Sequence, residues 1–240
     1  MYIIEGNIGA GKSTFLNLIK IFLPQYSVHQ EPVDTWHKKK EGQSLLESFY
    51  TTPKRWAYTL ETLSLINRVK EHLAIQEMPG ISIAERSVYS GNYCFAKNGY
   101  LNQFLDPIEW FAYNEWFNFM VPGKCKTPTG FIYLQVSPEK SYERVLKRNR
   151  SSENGLTLEY LKEINKRHEE FLIQKYNVLP ELQNIPVLIL NVNENFDKHT
   201  LKLQEHLNKV EKFIEETQVQ KLTNLNNLKT SGIFNKSLDI

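Results

Sequence analysis

Short apolar runs alternate with longer amphipathic segments along this chain. The amphipathic segments have the spacing of helices, and the short runs are rich in residues that favour strands. Five of these runs are predicted as strands: Met1 to Ile4, Ser27 to Gln30, Ile81 to Ala84, Gly130 to Val136 and Pro186 to Leu190. Strands that alternate with helices form a parallel sheet covered on both faces, with the carboxyl ends of the strands at one edge. The pattern therefore predicts a three-layer α/β fold with its active site at that edge.

Two of the predicted helices have clear start signals. Pro53 fits the first turn of a helix that extends to about Gln76, and Asp106-Pro107 opens another. The second helix is dense in aromatic residues, which more often belong to a core or a subunit interface than to a ligand site. They are Trp110, Phe111, Tyr113, Trp116, Phe117 and Phe119. From about Thr217 the periodicity weakens, so we expect one domain over residues 1–216 and a weakly structured tail over 217–240.

The composition is that of one globular domain with a sizeable core, at 240 residues and 41% apolar content. A net charge of +2 gives no reason to expect nucleic-acid or membrane binding through bulk electrostatics. No apolar run approaches the ~20 residues of a membrane span. Cys94 and Cys125 lack metal-ligand spacing and suit a reducing compartment. Because the first predicted strand begins at Met1, we expect no leader peptide and a cytoplasmic location.

A phosphate-binding loop joins the first strand to the first helix. It is formed by Gly6, Asn7, Ile8, Gly9, Ala10, Gly11, Lys12, Ser13 and Thr14, and it matches the pattern G-x-x-x-x-G-K-[ST]. The glycines let the backbone curl around a polyphosphate, towards which the amide groups of the helix N-terminus point. Lys12 can reach the outer phosphates, and the Ser13 hydroxyl can ligate Mg²⁺. The loop predicts a P-loop NTPase-type fold that binds an NTP, and it leaves the reaction open.

Two charged motifs follow predicted strands. Glu31 ends the second strand, and Pro32 biases it towards an extended backbone at the mouth of that strand. Glu85 and Arg86 follow the third strand, where a P-loop enzyme carries its second metal-organising acid. Glu85 is suited to hold Mg²⁺ through water, and Arg86 to neutralise charge that develops between donor and acceptor. The Asp-x-x-Gly signature of a switch GTPase is not found near this position in the sequence.

A basic cluster follows the fourth strand. It consists of Arg144, Lys147, Arg148 and Arg150, and it leads into a polar loop that ends at Gly155. Arg144 and Arg148 share one helix face because they are four residues apart. A solvated basic face is one interpretation, but a basic helix end before a flexible loop favours a lid over a triphosphate at about residues 144–155. After the last strand, the polar and aromatic segment from Asn191 to Phe196 suits the base of the donor nucleotide.

Together these motifs resemble the deoxyribonucleoside kinases, which include deoxycytidine, deoxyguanosine and mitochondrial thymidine kinases and the insect enzyme of broad specificity. The resemblance extends from Met1 to about Glu215 and rests on GNIGAGKST, EPVDTW, FYTTPKRW, ERSVYSGNYCFA, RVLKRNRSSENGLTLEYL and NVNENF. It implies a five-stranded parallel sheet and transfer of the γ-phosphate of ATP, or another NTP, to the 5′-hydroxyl of a deoxyribonucleoside. It also implies a homodimer, for which the aromatic helix is a candidate interface.

The resemblance implies roles for individual residues. Glu31 takes the proton of the 5′-hydroxyl, Arg86 stabilises the transferring phosphate, and Lys12 completes the catalytic set. Ser13 and Glu85 organise Mg²⁺. The nucleoside site is formed by Glu31, Trp36, Leu46, Phe49, Tyr50, Glu61, Arg68, Arg86, Gly91, Phe95 and Glu153. Within it, Phe95 stacks on the base, while Tyr50 and Glu153 hold the 3′-hydroxyl. The NTP site adds Arg144, Arg148, Arg150, Asn195 and Phe196 to the P-loop.

The chain departs from the family pattern at two positions in the base slot. Many members carry Gln in place of Glu61, and the deoxycytidine and deoxyguanosine kinases carry Asp in place of Gly91. An ionised Glu61 only accepts hydrogen bonds, so it suits thymine N3–H or guanine N1–H and N2–H, and it cannot donate to cytosine N3. Gly91 leaves room for the thymine methyl. Arg68, two helical turns after Glu61, either pairs with Glu61 or donates to guanine O6 and N7. Thymidine or broad specificity is favoured.

Two other functions compete with this interpretation. A nucleoside monophosphate kinase, such as a thymidylate kinase, would need further cationic contacts for the acceptor phosphate, and Tyr50, Glu153 and Glu31 argue against it. A non-catalytic nucleotide-binding subunit would be expected to lack the base, the P-loop lysine or the metal acid. Lys12 and Glu85 are both present, as is Glu31.

Overall fold

The computed structural model describes residues 1–31, 42, 44–153, 155–195 and 201–230, with the side chains of the last helix as far as residue 223. Trp36 and Phe196 therefore lie outside the described residues. The strands are β1 (Tyr2–Glu5), β2 (Ser27–His29), β3 (Ser82–Glu85), β4 (Gly130–Gln135) and β5 (Val187–Asn191). Each lies within one or two residues of a predicted strand.

These strands form one parallel sheet in the order β2-β3-β1-β4-β5. The short apolar strand β1 is central, and its Ile4 is in register with Glu85 of β3 and Ile132 of β4. Because every pair is parallel, all carboxyl ends meet at one edge, where the P-loop follows β1. The predicted α/β fold with a five-stranded parallel sheet is confirmed.

Nine α-helices surround the sheet within the described part of the chain. They are α1 (Lys12–Phe22), α2 (Leu45–Thr51), α3 (Pro53–Ile75), α4 (Val88–Ser90), α5 (Lys97–Leu101), α6 (Pro107–Met120), α7 (Pro138–Arg148), α8 (Leu158–His168) and α9 (Leu201–Thr230). Residues Gly91–Ala96 and Glu169–Ile173 form π-helical turns, and Ser151–Glu153 and Pro180–Leu182 form 3₁₀ turns.

The helix starts follow local sequence signals. Pro53 occupies the first turn of α3, as predicted. Asp106 caps α6 by accepting hydrogen bonds from the backbone of Ile108 and Glu109, both at 2.8 Å. The Glu109 side chain accepts from the Asp106 backbone in return, which completes a capping box. The two predicted helix starts are thus the observed ones.

Apolar packing covers both faces of the sheet, as a three-layer architecture requires. Successive residues of β1 point to opposite faces. Tyr2 and Ile4 belong to a core cluster shared with Phe15 of α1, whereas Ile3 belongs to a second cluster with Phe117 of α6. The central strand is therefore buried on both sides, which anchors the P-loop that follows it.

The last helix is longer than the sequence pattern indicates. Weak structure was expected from Thr217 onwards, but α9 continues to Thr230. Thr217 is 6% exposed, and its hydroxyl lies 2.6 Å from the hydroxyl of Tyr2 in β1. This buried contact with the central strand holds the helix against the sheet, and periodicity alone does not reveal it. Residues 231–240 of the predicted tail lie outside the described residues.

Within the described residues, none of the helices combines the length and the apolar character needed to cross a membrane.

Candidate active site

The P-loop has a conformation that depends on its glycines. Gly9 and Gly11 have φ angles of +80° and +93°, in the left-handed region that other residues rarely adopt. A Cβ on Gly9 would also lie only 2.5 Å from the backbone oxygen of Ser141 in α7. Gly11 is the N-cap of α1, so the positive end of the helix dipole faces the loop. An anion is favoured at this position.

Lys12 is buried within the loop. Its Nζ donates to the carbonyl oxygens of Gly6 at 3.2 Å and Asn7 at 2.9 Å. Burial, together with the positive charge of Arg86, lowers the pKa of Lys12 to about 7. An incoming phosphate would favour the charged ammonium and so raise this pKa. The Asn7 side chain anchors the loop by donating to the Leu161 carbonyl at 2.8 Å.

The two predicted metal residues are in contact. Ser13 of α1 donates to both carboxylate oxygens of Glu85, each at 3.0 Å. Glu85 is the last residue of β3, so the sheet edge brings the pair together. Mg²⁺ prefers hard oxygen ligands and is commonly held by one or two protein groups together with phosphate oxygens and water. The hydroxyl and the carboxylate fit that requirement beside the P-loop.

Glu31 is held by two arginines. Arg68 of α3 donates to its Oε1 from Nε at 3.1 Å and from Nη2 at 2.6 Å, and Arg86 Nε lies 3.2 Å from its Oε2. The Glu31 side chain is 8% exposed. Burial by itself would raise its pKa, but the charges of Arg68 and Arg86 outweigh burial and lower the pKa below the usual value. Glu31 is therefore ionised at neutral pH, as a proton acceptor must be.

The backbone after β3 fixes Arg86. Its φ angle of +63° lies in the left-handed region, and its N–H donates to the Ile4 carbonyl at 2.9 Å. Its guanidinium donates to the Gly6 carbonyl at 3.2 Å. The next residue, Ser87, donates to buried Glu5 at 2.6 Å. These contacts place the guanidinium between the P-loop and Glu31.

Aromatic side chains form the wall of the predicted nucleoside site. The Phe49 ring lies 5.2 Å from Tyr50 and 6.4 Å from Tyr160, measured between centroids. The Phe95 ring lies 4.6 Å from the guanidinium carbon of Arg86. Leu46 lines the same cavity. Flat faces of this kind suit a nucleobase, which stacks on aromatic rings.

The base slot differs from the prediction at Gly91. Arg68 Nη1 lies 2.8 Å from the position that a Cβ of Gly91 would take, so a guanidinium fills the room expected for a thymine methyl. The hydrogen bonds of Arg68 go to Glu31 rather than to Glu61. Glu61 is 6% exposed, and burial raises its pKa to about 7. A buried acid that titrates near neutral pH therefore lines the slot.

Two residues of the predicted lid, Arg148 and Arg150, form an ionic cluster with Glu153. Arg148 Nη2 donates to its two carboxylate oxygens at 2.8 and 2.6 Å, and Arg150 Nη1 lies 3.7 Å from Oε1. Burial, followed by the negative charge of Glu153, raises the pKa of Tyr50. Tyr50 and Glu153 are thus neighbours, as the prediction for the sugar 3′-hydroxyl requires.

Arg144 lies apart from the other lid arginines. Its guanidinium donates to the Ala10 carbonyl at 3.3 Å and to the Val192 and Glu194 carbonyls, both at 2.8 Å. It also reaches Asn195 Oδ1 at 3.4 Å. Arg144 lies one helical turn before Arg148, and its side chain contacts the P-loop and the segment after β5. Arg144 therefore joins two predicted NTP-binding segments, whereas the sequence grouped it with Arg148 and Arg150.

One cavity of about 330 Å³ brings most of the predicted residues together. Its wall includes Ile8, Gly9, Gly11, Lys12, Ser13, Thr14, Glu31, Leu46, Phe49, Tyr50, Glu61, Arg68, Glu85, Arg86, Phe95, Arg148, Arg150 and Glu153. Around this wall are the remaining described candidates, which are Gly6, Asn7, Ala10, Gly91, Arg144 and Asn195.

Comparison with known proteins assigns the family. The family model described as deoxynucleoside kinase matches residues 2–215. The chain belongs to the deoxynucleoside kinase family. A mitochondrial deoxyguanosine kinase of Xenopus laevis is 36% identical over 233 residues, which cover 88% of each chain. The human deoxycytidine kinase is 34% identical over 236 residues, covering 88% of this chain and 89% of the relative. A probable deoxycytidine kinase of fowlpox virus is 35% identical over 217 residues, covering 90% and 88%.

Family membership makes this protein a nucleoside kinase that uses a nucleotide as phosphate donor. The relatives are named for two different bases, so they leave the base preference of this kinase open. One of them is named mitochondrial, so the cytoplasmic location stays a prediction.

Four residues of the kinase cavity were missed in the sequence: Gln30, Leu60, Ser64 and Tyr160. Leu60 and Ser64 precede Arg68 at intervals of four, so they share its helix face and could have been found from spacing. Tyr160 offered no such signal, because the ring contacts that bring it to Phe49 join separate helices.

Proposed function

We propose that this kinase transfers the γ-phosphate of ATP, or of another NTP, to the 5′-hydroxyl of a deoxyribonucleoside. One observation carries the proposal. An ionised acid, Glu31, shares a single cavity with a P-loop on one side and an aromatic slot on the other. The cavity therefore combines a donor site, a proton acceptor and a site for a flat base.

Glu31 is the general base in this proposal. It accepts the proton of the 5′-hydroxyl as that oxygen attacks the γ-phosphate. Arg86 lies 3.2 Å from Glu31 and donates to the P-loop at 3.2 Å, so its charge is placed to stabilise the phosphoryl group between acceptor and donor. Phosphoryl transfer needs mainly positioning and charge stabilisation. Lys12 supplies a further positive charge beside the outer phosphates.

Mg²⁺ belongs to this proposal as the partner of the NTP. Ser13 and Glu85 would hold it, because their oxygens already lie 3.0 Å apart beside the P-loop. When bound, the ion would neutralise negative charge on the phosphate groups. Arg148 and Arg150 would close over the triphosphate, and Arg144 would keep the donor-base segment against the P-loop.

Glu61 sets the base preference that we propose. When it is ionised it accepts hydrogen bonds from thymine N3–H or guanine N1–H, and it cannot donate to cytosine N3. Thymidine is favoured and deoxyguanosine is second, although the side chain of Arg68 fills the space beside Gly91. For guanine, the hydrogen-bond donor to O6 and N7 would be Arg68.

A homodimer formed through α6 is the final part of the proposal. Four large apolar side chains of this helix are exposed: Ile108 (77%), Phe111 (64%), Trp116 (48%) and Phe119 (66%). They lie within one side of the helix, and apolar patches of this kind commonly mark interaction surfaces. The helix adjoins the core through Tyr113 and Phe117.

The reaction is tested with labelled ATP and a panel of deoxynucleosides and their monophosphates. We expect phosphorylation of nucleosides, with kcat reduced by ~10²–10⁴ in Glu31→Gln because the amide cannot accept the proton. Nucleoside affinity should change little. Phosphorylation of monophosphates alone would support a nucleoside monophosphate kinase, and full activity in Glu31→Gln would remove Glu31 from the mechanism.

Sugar selection is tested with 2′,3′-dideoxynucleosides. Without a 3′-hydroxyl, Tyr50 and Glu153 each lose a hydrogen-bond partner that the nucleoside would supply, which costs ~1–3 kcal/mol. We expect kcat/KM to fall by ~5- to 150-fold, since each 1.4 kcal/mol is a factor of ten. The matched variant Tyr50→Phe should narrow the difference between the two sugars. Equal efficiencies in the wild type would show that this grip is absent.

Base selection is tested as a function of pH. Since the pKa of Glu61 is raised to about 7, the acid is protonated below that pH and can donate to cytosine N3. It is ionised above that pH and can only accept. The ratio of kcat/KM for deoxycytidine over thymidine should therefore fall, by up to ~10-fold for one hydrogen bond, between pH 6 and 8. Titrating groups that act equally on both substrates do not change this ratio.

The Glu61→Gln variant is the control for base selection. Its amide donates at every pH. The ratio of kcat/KM for deoxycytidine over thymidine should therefore be higher than in the wild type and independent of pH. A wild-type ratio that is flat and unchanged by the substitution would mean that Glu61 does not read the base.

The assembly is tested by light scattering. We expect a wild-type mass twice that of the 28.2 kDa chain and a monomer for Phe111→Glu, because a charge on the apolar face opposes burial. Ile21→Glu, at another exposed apolar position, should leave the mass unchanged. A wild-type monomer would contradict this part of the proposal.

A further inference from the structure

We infer that Arg68 is a positioning residue for the general base and that it links the base slot to Glu31. The inference rests on the proposed function, in which Glu31 accepts the proton of the 5′-hydroxyl. It assigns Arg68 a role other than reading the edge of the base.

The two oxygens of Glu31 are divided between two arginines. Arg68 donates twice to Oε1, at 3.1 and 2.6 Å, and Arg86 holds Oε2 at 3.2 Å. The side chains of Arg68 and Glu31 are 9% and 8% exposed. Two hydrogen bonds from one planar guanidinium fix the position of Oε1, and with Arg86 on Oε2 they set the direction of the carboxylate. Without Arg68, one oxygen of the acid would lose its support.

The strand does not supply this support. The last register pair of β2 is His29 with Ala84, so Glu31 lies two residues beyond the end of the ladder. Its carboxylate is oriented by Arg68 on α3 and Arg86 after β3, which are separate elements. A displacement of about 1 Å in a catalytic group can cost about 10²-fold in rate. The double contact from Arg68 therefore bears directly on kcat.

The other end of the guanidinium borders the base slot. Arg68 Nη1 is buried beside Gly91, and it has no hydrogen-bond partner among the residues that the structure describes. Tyr113, whose hydroxyl lies 3.8 Å from the position of a Gly91 Cβ, is likewise unpaired within that part of the chain. Because glycine at position 91 offers no carboxylate, no acid at this position competes with Glu31 for Arg68.

The charged groups that act on Glu31 come from several elements. They are Lys12 of α1, Glu61, Arg68 and Glu71 of α3, and Arg86 after β3. Arg68 is the one that both donates hydrogen bonds to Glu31 and reaches Gly91. Its removal would take away a positive charge and raise the pKa of Glu31.

A double-mutant cycle separates positioning from base reading. Arg68→Met should lower kcat for thymidine by about 10–100-fold and move the acidic limb of the kcat profile up by about one pH unit. In the Glu31→Gln background the same change should alter kcat by about twofold or less, because the two residues act as a unit. If Arg68→Met lowers kcat equally in both backgrounds, Arg68 does not act through Glu31 and the inference is wrong.

Position 91 provides a second variant that keeps Arg68 in the protein. Gly91 has helical angles of −53° and −50°, so a side chain is tolerated by the backbone, and the flexible end of Arg68 can shift. Gly91→Asp offers Nη1 a carboxylate, and it should draw Arg68 from Glu31 and raise the acidic limb as Arg68→Met does. The neutral control Gly91→Asn displaces Arg68 through the same Cβ contact but adds no charge, so it should raise the limb less than Gly91→Asp does. Equal pH profiles for the Asp and Asn variants would overturn the inference.

The same variants distinguish a failure of the proposed role of Glu31 from a failure of the role inferred for Arg68. The limbs are compared in a Glu61→Gln background, because Glu61 itself titrates near pH 7 and Arg68 acts on it as well. If Glu31→Gln retains the acidic limb in that background, Glu31 is not the base and the proposed mechanism fails. If Glu31→Gln abolishes the limb while Arg68→Met and Gly91→Asp leave it unmoved, only the role of Arg68 is rejected. Thermal unfolding of each variant confirms that the fold is intact.

Discussion

Charge balance among the buried side chains of the cavity is the constraint on which this site depends. Lys12, Glu31, Glu61, Arg68, Glu85 and Arg86 all have side chains or residues less than 10% exposed. A buried charge is costly unless it is paired. Arg68 and Arg86 pair with Glu31, and Ser13 donates to Glu85. Glu61 accepts no hydrogen bond from Arg68, and burial raises the pKa of Glu61 to about 7. Glu61, which lines the cavity beside the aromatic wall, therefore titrates near neutral pH.

The parallel sheet makes this balance possible. β1 lies between β3 and β4 and delivers the P-loop, while β3 delivers Glu85 and Arg86 to the same edge. The Arg86 backbone donates to the Ile4 carbonyl of β1, so the left-handed turn at Arg86 is held by the strand that carries the P-loop. Strain at this one residue is compensated by contacts to a rigid neighbour. The geometry between P-loop and Glu31 is thus set by the core rather than by a loop.

Periodicity and short motifs were enough to predict the sheet and the P-loop, and the resemblance to the deoxyribonucleoside kinases implied most of the other residues that line the cavity. They could not predict contacts between elements. The seven-residue interval between Glu61 and Arg68 correctly places both on one face of α3, but the partner of Arg68 is Glu31, which follows β2. Arg144 and Arg148 are one turn apart, yet they meet the P-loop and Glu153 respectively. The helix after Thr217 is held by Tyr2, a contact across 215 positions of sequence.

Hydrogen bonds and ion pairs already formed within the protein affect the binding of the NTP and the binding of the nucleoside in opposite ways. Lys12 donates to two backbone carbonyls and Arg148 to Glu153, so a ligand for these groups has to replace existing bonds. A triphosphate offers several negative charges and replaces them readily, since charge-assisted hydrogen bonds are about twice as strong as neutral ones. A nucleoside is neutral and has no such advantage. In the function that we propose, discrimination among bases therefore rests on single hydrogen bonds, such as the one that Glu61 accepts when it is ionised and donates when it is protonated.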